Sequence, residues 1–444
     1  MRAIKSPLIR CLLFIIAFVI IAIPVLGVLG IDSSEAFIHL QDLRYEKKNT
    51  LDAVYIGASD VHAFWQPLFG WNDCGIATWN YSVGALPRHA VRHLVAQVRK
   101  TQPDALMIIG FSTLKKPKEK VDEANAHRVI DYFPASGEKL QLIQTLTERL
   151  EGFTSLDKLE FYLPFIRFHS RWDNLKQWVF EADEDYKSSK TAELFMNRIK
   201  RVHLPVEPEL PAEPTMNEAE NALVELLDYF DAQHVRALFV VSPQQLKDSH
   251  LRNIVRLKRI IEARGYDCLD MLQKAAELGL DLDMDYYDTA HTNVHGSMKF
   301  SRYLANYLAR EYGFADKRGL PEWKSWDDAA ERYRELISPY TLPFEWNNFP
   351  RIDLPAPALK APQKAGKGIL VSWNAVEGAD SYAIFRKQNG AWKEIATTQS
   401  PTLAYQDDDV RASRTYTYTV VPCRESDGGV LYGNFDVKGK SRKA

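Results

Sequence analysis

The sequence predicts an α/β fold, a three-layer α/β/α sandwich around a mostly parallel sheet, with an N-terminal transmembrane helix before it and a small β-sandwich after it. Three observations carry this. An uncharged apolar run, CLLFIIAFVIIAIPVLGVLG (Cys11–Gly30), stands near the N-terminus. From residue 50 to residue 315, short β-rich runs alternate with helical patterns. Beyond residue 368 the pattern turns to strands alone. With 444 residues the chain exceeds one ordinary domain, and 46% apolar with 26% charged residues is a globular balance.

The apolar run comes first. As a helix it spans about 30 Å at 1.5 Å per residue, enough to cross a bilayer core. Arg2, Lys5 and Arg10 precede it and Asp32 and Glu35 follow it. The positive-inside rule therefore puts residues 1–32 as a cytoplasmic tip and single-pass anchor in the cell membrane, with the rest of the chain outside. A cleaved signal peptide is the alternative. The run is longer than the usual apolar core of such peptides, and no A-x-A site follows it.

In the α/β region (50–315), LDAVYIG (Leu51–Gly57) is a β-rich run ending in glycine, and IATWNYSV (Ile76–Val83) is a second. Gly84 and a helical stretch from Pro87 to Lys100 follow. DALMIIGFS (Asp104–Ser112), RALFVVSP (Arg236–Pro243) and DCLDM (Asp267–Met271) are near-continuous apolar runs, as expected of strands covered on both faces. Ala219–Ala232 and Leu251–Arg264 are helical between them. Such alternation builds a parallel sheet whose functional groups collect at the carboxyl ends of the strands. Residues 113–215 break the alternation and read as a helical insertion. Residues 316–367, with Trp323, Trp326 and Trp346, form an aromatic, proline-bearing connector. In 368–440, GILVSWNAV, SYAIFRKQ, AWKEIATT and TYTYTVVPC alternate apolar and polar positions between turns. SWNAVEGADSYAIFRK resembles a fibronectin type III domain, in which Trp373 suits the core and the Tyr416/Tyr418 pair a tyrosine corner.

Charge and cysteine content exclude several classes. A net charge of −2 offers no field for a nucleic-acid backbone, so none is expected as partner. Cys11, Cys74, Cys268 and Cys423 are too few for a disulfide framework. A Cys74–Cys268 bridge is conceivable, without a motif to support it. No metal-ligand spacing stands out beyond Asp288 and His291, and no metal or cofactor is expected.

Two sites carry chemistry. In YIGASDVH, Ser59 falls where the first strand turns into a helix, exposing a hydroxyl near backbone N–H groups able to hold an oxyanion. The alternative is a helix N-cap. In DYYDTAHTNVHGSMKFSRYL (Asp285–Leu304), Asp288 and His291 lie three positions apart in a loop before the last helix. A carboxylate beside an imidazole orients its tautomer and stabilises the imidazolium that forms when it takes a nucleophile's proton. The alternative is a His291 that only caps the helix or meets solvent. His62 and His295 read as structural or solvent-facing. Trp65, Trp71 and Trp79 could stack on sugars, though core packing suits them better.

These motifs resemble the SGNH/GDSL hydrolase superfamily. YIGASDVH with DTAHTNVHGSMKFSRYL is closest to the membrane-anchored SGNH-like proteins of bacterial envelopes, and FHSRWDNL (Phe168–Leu175) resembles a further segment of those proteins. The resemblance implies Ser59 as nucleophile, His291 as base, Asp288 as its orienting acid, and the N–H groups of Ser59 and Gly84 as an oxyanion hole. It departs at the third block: IIGFSTLKKP has no counterpart of the asparagine that completes that hole. Asn80 and Asn293 are the available substitutes. His169 and Arg171 are candidates for receiving a polar or anionic substrate. The function expected is that of a membrane-anchored extracellular serine esterase or O-acyltransferase, acting on acyl groups, acetyl foremost, of an envelope polysaccharide. The resemblance also implies a multi-spanning membrane O-acyltransferase as partner. The alternative is a non-catalytic scaffold or glycan-binding protein on a degenerate SGNH fold, and a metalloenzyme stands third.

Overall fold

The computed structural model describes residues 7–29, 39–163, 189–192, 199–211, 215–346, 352–426 and 429–444. Helix α1 (Pro7–Leu29) covers the apolar run. Over the described side chains, which within α1 reach only to Ile21, no helix is long and apolar enough to cross a membrane. By packing, the remaining chain forms two compact units. One comprises 76–193 and 204–278 together with the chain up to residue 67; the other comprises 68–75, 194–203 and 279–444.

The first unit is a parallel-sheet α/β region. Its strands are β1 (Ala53–Gly57), β2 (Thr78–Ser82), β3 (Leu106–Gly110), β4 (Ala237–Val241) and β5 (Asp267–Asp270), in the order β2-β1-β3-β4-β5 with every pairing parallel. Each falls within a run read from sequence, trimmed at the ends where polar or turn residues begin. Every residue of β1 to β4 is buried, which is why the runs of β1, β3 and β4 are apolar without alternation, while β2 buries the polar Thr78, Asn80 and Ser82 and the edge strand β5 is mixed. The chain steps from β1 to β2 on one side and then returns to β3 on the other. The carboxyl ends of β1 and β3 therefore flank the topological switch point, where open α/β sheets form their crevice.

Helices α2 (Ser59–Phe64), α3 (Pro67–Cys74) and α4 (Val91–Arg99) follow the first two strands. The insertion carries three helices in its first part, α5 (Glu123–Ile130), α6 (Gly137–Thr147) and α7 (Leu159–Tyr162), while its described residues 189–192 and 199–211 are not helical. Then come α8 (Glu218–Gln233), started by an Asn217/Glu220 capping box, and α9 (Asp248–Ala263).

The second unit contains α10 (Val294–Tyr312), α11 (Lys324–Ile337), α12 (Pro343–Trp346) and a C-terminal antiparallel β region. The connector is partly helical, and one of its tryptophans is a packing residue. Trp326 lies against Trp71, ring centroids 5.4 Å apart, and Trp71 Nε1 donates to Asp327 at 3.0 Å. The β region has two sheets. β6 (Gln363–Ala365), β7 (Gly368–Ser372) and β10 (Ala404–Asp407) make one, in the order β10-β7-β6. β8 (Ser381–Gln388), β9 (Ala391–Gln399), β11 (Thr415–Ser426) and β12 (Gly429–Tyr432) make the other, with β13 (Lys440–Lys443) on β11. Ile369 and Val371 from the first sheet share one core with Tyr382, Ile384, Tyr418 and Val420 from the second, and with Trp373.

The two tyrosines divide the roles expected of them. Tyr416, at the start of β11, accepts the Arg411 N–H at 2.8 Å, closing a corner to backbone five residues upstream. Tyr418 is core, its hydroxyl donating to Asp407 at 2.7 Å. The four cysteines are free thiols, so the conceivable Cys74–Cys268 bridge is not formed.

Candidate functional site

Ser59 is the first residue of α2. The N-cap is Ala58, in extended conformation and without a side-chain cap, so Ser59 does not serve as the cap. Its neighbours Ala58 and Asp60 are buried, while Ser59 itself is partly exposed. Two glycines let this turn sit directly on the strand ends. A Cβ on Gly57 would overlap Val61 Cγ2 and lie 3.4 Å from Gly110 Cα, and a Cβ on Gly110 would meet Val61 at 2.8 Å. Val61 is fully buried and branched at Cβ, so it cannot swing aside. Gly57→Ala is expected to cost about 1–3 kcal/mol through overpacking. Chemical denaturation measures that loss.

Asp60 ties the same turn to two further strands. Its carboxylate accepts the hydroxyl of Ser112, just past β3, and the hydroxyl of Ser242, just past β4, the latter at 2.9 Å. Lys115 lies close by and donates to Gln244 at 2.7 Å. Burial lowers its pKa, against the opposing charge of Asp60. Sequence reasoning missed this cluster because its members are scattered along the chain; the only signal was a hydroxyl residue just after each of two strands.

Gly84 follows β2. The Val83 N–H bonds the Gly57 carbonyl at 3.1 Å, and the Gly84 carbonyl accepts Arg128 at 2.9 Å. No hydrogen bond among the described residues takes up the Gly84 N–H. The expectation for Asn80 is corrected. It is fully buried in β2, and its amide N–H groups are committed to the carbonyls of Trp65 (2.9 Å) and Thr191 (3.4 Å). A polar side chain in a strand covered on both faces must find partners locally, which leaves it no donor for an oxyanion. His62 is also structural: buried, it places Nδ1 3.3 Å from Ser82 Oγ, and its ring lies 5.5 Å from that of His39. Burial lowers the His39 pKa to about 4, against backbone hydrogen bonds at Ser82 and Thr191. Trp65, Trp71 and Trp79 are all buried core residues.

The Asp288–His291 pair lies in the second unit, on a loop pinned to itself. Tyr286 bridges Thr292, and the N–H groups of Tyr287 (2.8 Å) and Asp288 (3.3 Å) bond the His291 carbonyl. Asp288 accepts the N–H groups of Ala290 (2.8 Å) and His291 (3.0 Å), and both its oxygens lie 2.9 Å from His291 Nδ1. Both side chains keep partial exposure, 34% for Asp288 and 21% for His291. Burial pushes the Asp288 carboxyl up, but the His291 ring, the two backbone N–H groups and the imidazole's charge outweigh it and hold it below the usual carboxylate range. With Nδ1 facing the carboxylate, Nε2 is the nitrogen that can take up a proton.

The rest of the motif supports that loop. Asn293 caps α10, accepting from His295 N (3.0 Å) and Gly296 N (3.3 Å) while donating to Met284 O (2.6 Å), so its amide too is engaged away from an oxyanion hole. A Cβ on Gly296 would strike the Asp285 carbonyl and Thr292. Lys299 pairs with Asp285 at 2.7 Å. His295 is buried, with Nδ1 3.1 Å from Glu345 and its ring edge-on to Phe435, centroids 5.6 Å apart. His169 and Arg171 lie outside the described residues.

No family model matches the sequence, and no curated protein matches it. Among solved structures, the chain is similar to the pectate lyase Pel3 from Pectobacterium carotovorum at 18% identity, over 20% of this chain and 27% of that one, with a TM-score of 0.17. It thus spans about a quarter of that enzyme's length. It is also similar to a fibronectin type III domain of human collagen XX at 22% identity, over 22% of this chain and 98% of that one, TM-score 0.17. A Fn3-like protein from Clostridium thermocellum is similar at 24% identity, over 20% of this chain and 90% of that one, TM-score 0.16.

Proposed function

We propose that the chain is a membrane-anchored serine esterase or O-acyltransferase of the SGNH type, facing outward and acting on acyl groups of an envelope polysaccharide. The observation that carries this is the Asp288 carboxylate gripping Nδ1 of a partly exposed His291 on a loop that backbone hydrogen bonds hold in place. In this reading Ser59 Oγ attacks the acyl carbon as His291 Nε2 takes its proton. The N–H groups of Ser59 and Gly84 stabilise the oxyanion, and the departing sugar hydroxyl receives the proton from Nε2. Water or a second hydroxyl then repeats the sequence on the acyl-enzyme. Access of water to that intermediate decides between hydrolysis and transfer, and transfer suits a multi-spanning membrane O-acyltransferase as donor partner. α1 is the proposed anchor: Leu8, Phe14, Ile20 and Ile21 all present their side chains outward, as lipid surroundings favour. The α/β region is read as the three-layer sandwich of that superfamily.

A fluorophosphonate probe tests the nucleophile. Labelling confined to one site, lost in Ser59→Ala and strongly slowed in His291→Ala, is the expected result. A wild-type protein that stays unlabelled, or a Ser59→Ala variant labelled as fast, sinks the reading.

A second reading has its own support. The asparagine donor is missing after β3, and the amides of Asn80 and Asn293 are engaged elsewhere. A non-catalytic glycan-binding scaffold fits that loss. Polysaccharide binding by a protein that neither takes the probe nor releases acetate identifies it.

A further inference from the structure

We infer that Glu123, His127 and Glu160 form a binding site for a divalent transition-metal cation, with Asp131 orienting the imidazole. Glu123 and His127 are four residues apart on α5 and so share one face, and Glu160 comes from α7. One donor atom from each lies within 4.8 Å of the others. Tetrahedral metal–ligand bonds of about 2.0–2.2 Å set donor–donor separations near 3.3–3.6 Å, so side-chain rotation of the two glutamates by about an ångström closes the three on one ion.

The histidine is held as a ligand would be. Its side chain is 1% exposed, and its ring stacks on Phe161 with centroids 4.0 Å apart at 13°, which blocks rotation. Nδ1 lies 3.0 Å from Asp131, one turn beyond, and Nε2 lies 3.3 Å from Glu160. A carboxylate behind one ring nitrogen with the other aimed at the ligand set is how metal-bound histidines are oriented. The charge around it is unbalanced. No Lys or Arg among the described residues pairs with Glu123 or Glu160, and nearby Lys120 is taken by Glu151. Two carboxylates this close repel each other, and a divalent cation between them removes the repulsion. One imidazole with two carboxylates suits Zn²⁺ or Mn²⁺, and three protein ligands leave a coordination position open. The sequence reading singled out no ligand spacing here: Glu123, His127 and Asp131 repeat every four residues, but Glu160 joins them only through the fold.

The test is calorimetric titration of the full-length protein in detergent, stripped with EDTA, using Zn²⁺ and then Mn²⁺. One saturable equivalent is expected for at least one of the two metals. Its affinity falls about tenfold or more in Glu123→Gln and in Glu160→Gln, and it vanishes in His127→Ala. Glu123 is exposed and forms no ion pair among the described residues, so Glu123→Gln is expected to fold as the parent does, which thermal unfolding in EDTA checks. No saturable equivalent in the parent overturns the assignment. So does unchanged affinity in either glutamine variant.

Discussion

Asp288→Asn is expected to lower turnover by about 10³–10⁴-fold while leaving the loop folded. The asparagine keeps an oxygen for the N–H groups of Ala290 and His291, so the turn survives. What is lost is the negative charge beside Nδ1, and with it the tautomer and the stabilisation of imidazolium as the proton arrives. Release of acetate, or of p-nitrophenol from its acetate ester, reads the rate, and circular dichroism reads the fold. A variant within tenfold of the parent would show that Asp288 only shapes the turn. The pH dependence has a definite sign. The folded-state pKa lies below the ordinary 3.8, so the carboxylate's contribution to the loop is complete above that value and is lost as pH falls through the depressed one. A fall in activity at any pH above about 5 therefore reports a group other than Asp288.

Asp407→Ala is expected to destabilise the β-sandwich by about 3–5 kcal/mol. Asp407 and Arg386 have side chains 3% and 5% exposed, joined at 2.7 and 3.0 Å. Asp407 also accepts from Tyr418 and from the Asp409 N–H. Removing it leaves a buried guanidinium whose remaining acidic partner is Asp409, a residue with an exposed carboxylate. Urea denaturation followed by the buried Trp373 measures the loss. Replacing Arg386 and Asp407 together by apolar residues of similar volume should cost far less, because neither charge is then stranded. Equal losses in the single and double variants would show that packing, not charge, sets the cost.

The strands β1, β3 and β4 were legible because they are covered on both faces and are apolar throughout, and β2 through its aromatic residues Trp79 and Tyr81. The sandwich was legible through its alternation. The contact of Asp288 with His291 was legible because the two sit on one short loop, and the place of Ser59 at the start of a helix followed from the glycine closing β1. What escaped was long-range. Asp60 meets Ser112 and Ser242 only because β1, β3 and β4 end side by side. Asn80 looked free in sequence, yet its hydrogen bonds lie with Trp65 and Thr191, the second far along the chain. His127 gains Glu160 from a separate helix. Local patterns report periodicity and turns, whereas these sites depend on which strand or helix ends become neighbours.

The ring of His295 stands four positions after His291, wedged between Glu345 of the connector and Phe435 of the sandwich. A pull on the C-terminal module, from a tethered polymer for instance, arrives at the root of α10 in part through that imidazole. The sandwich is thus coupled mechanically to the Asp288–His291 loop, and a chain shortened by its last ninety or so residues would lose a buttress as well as an appendage.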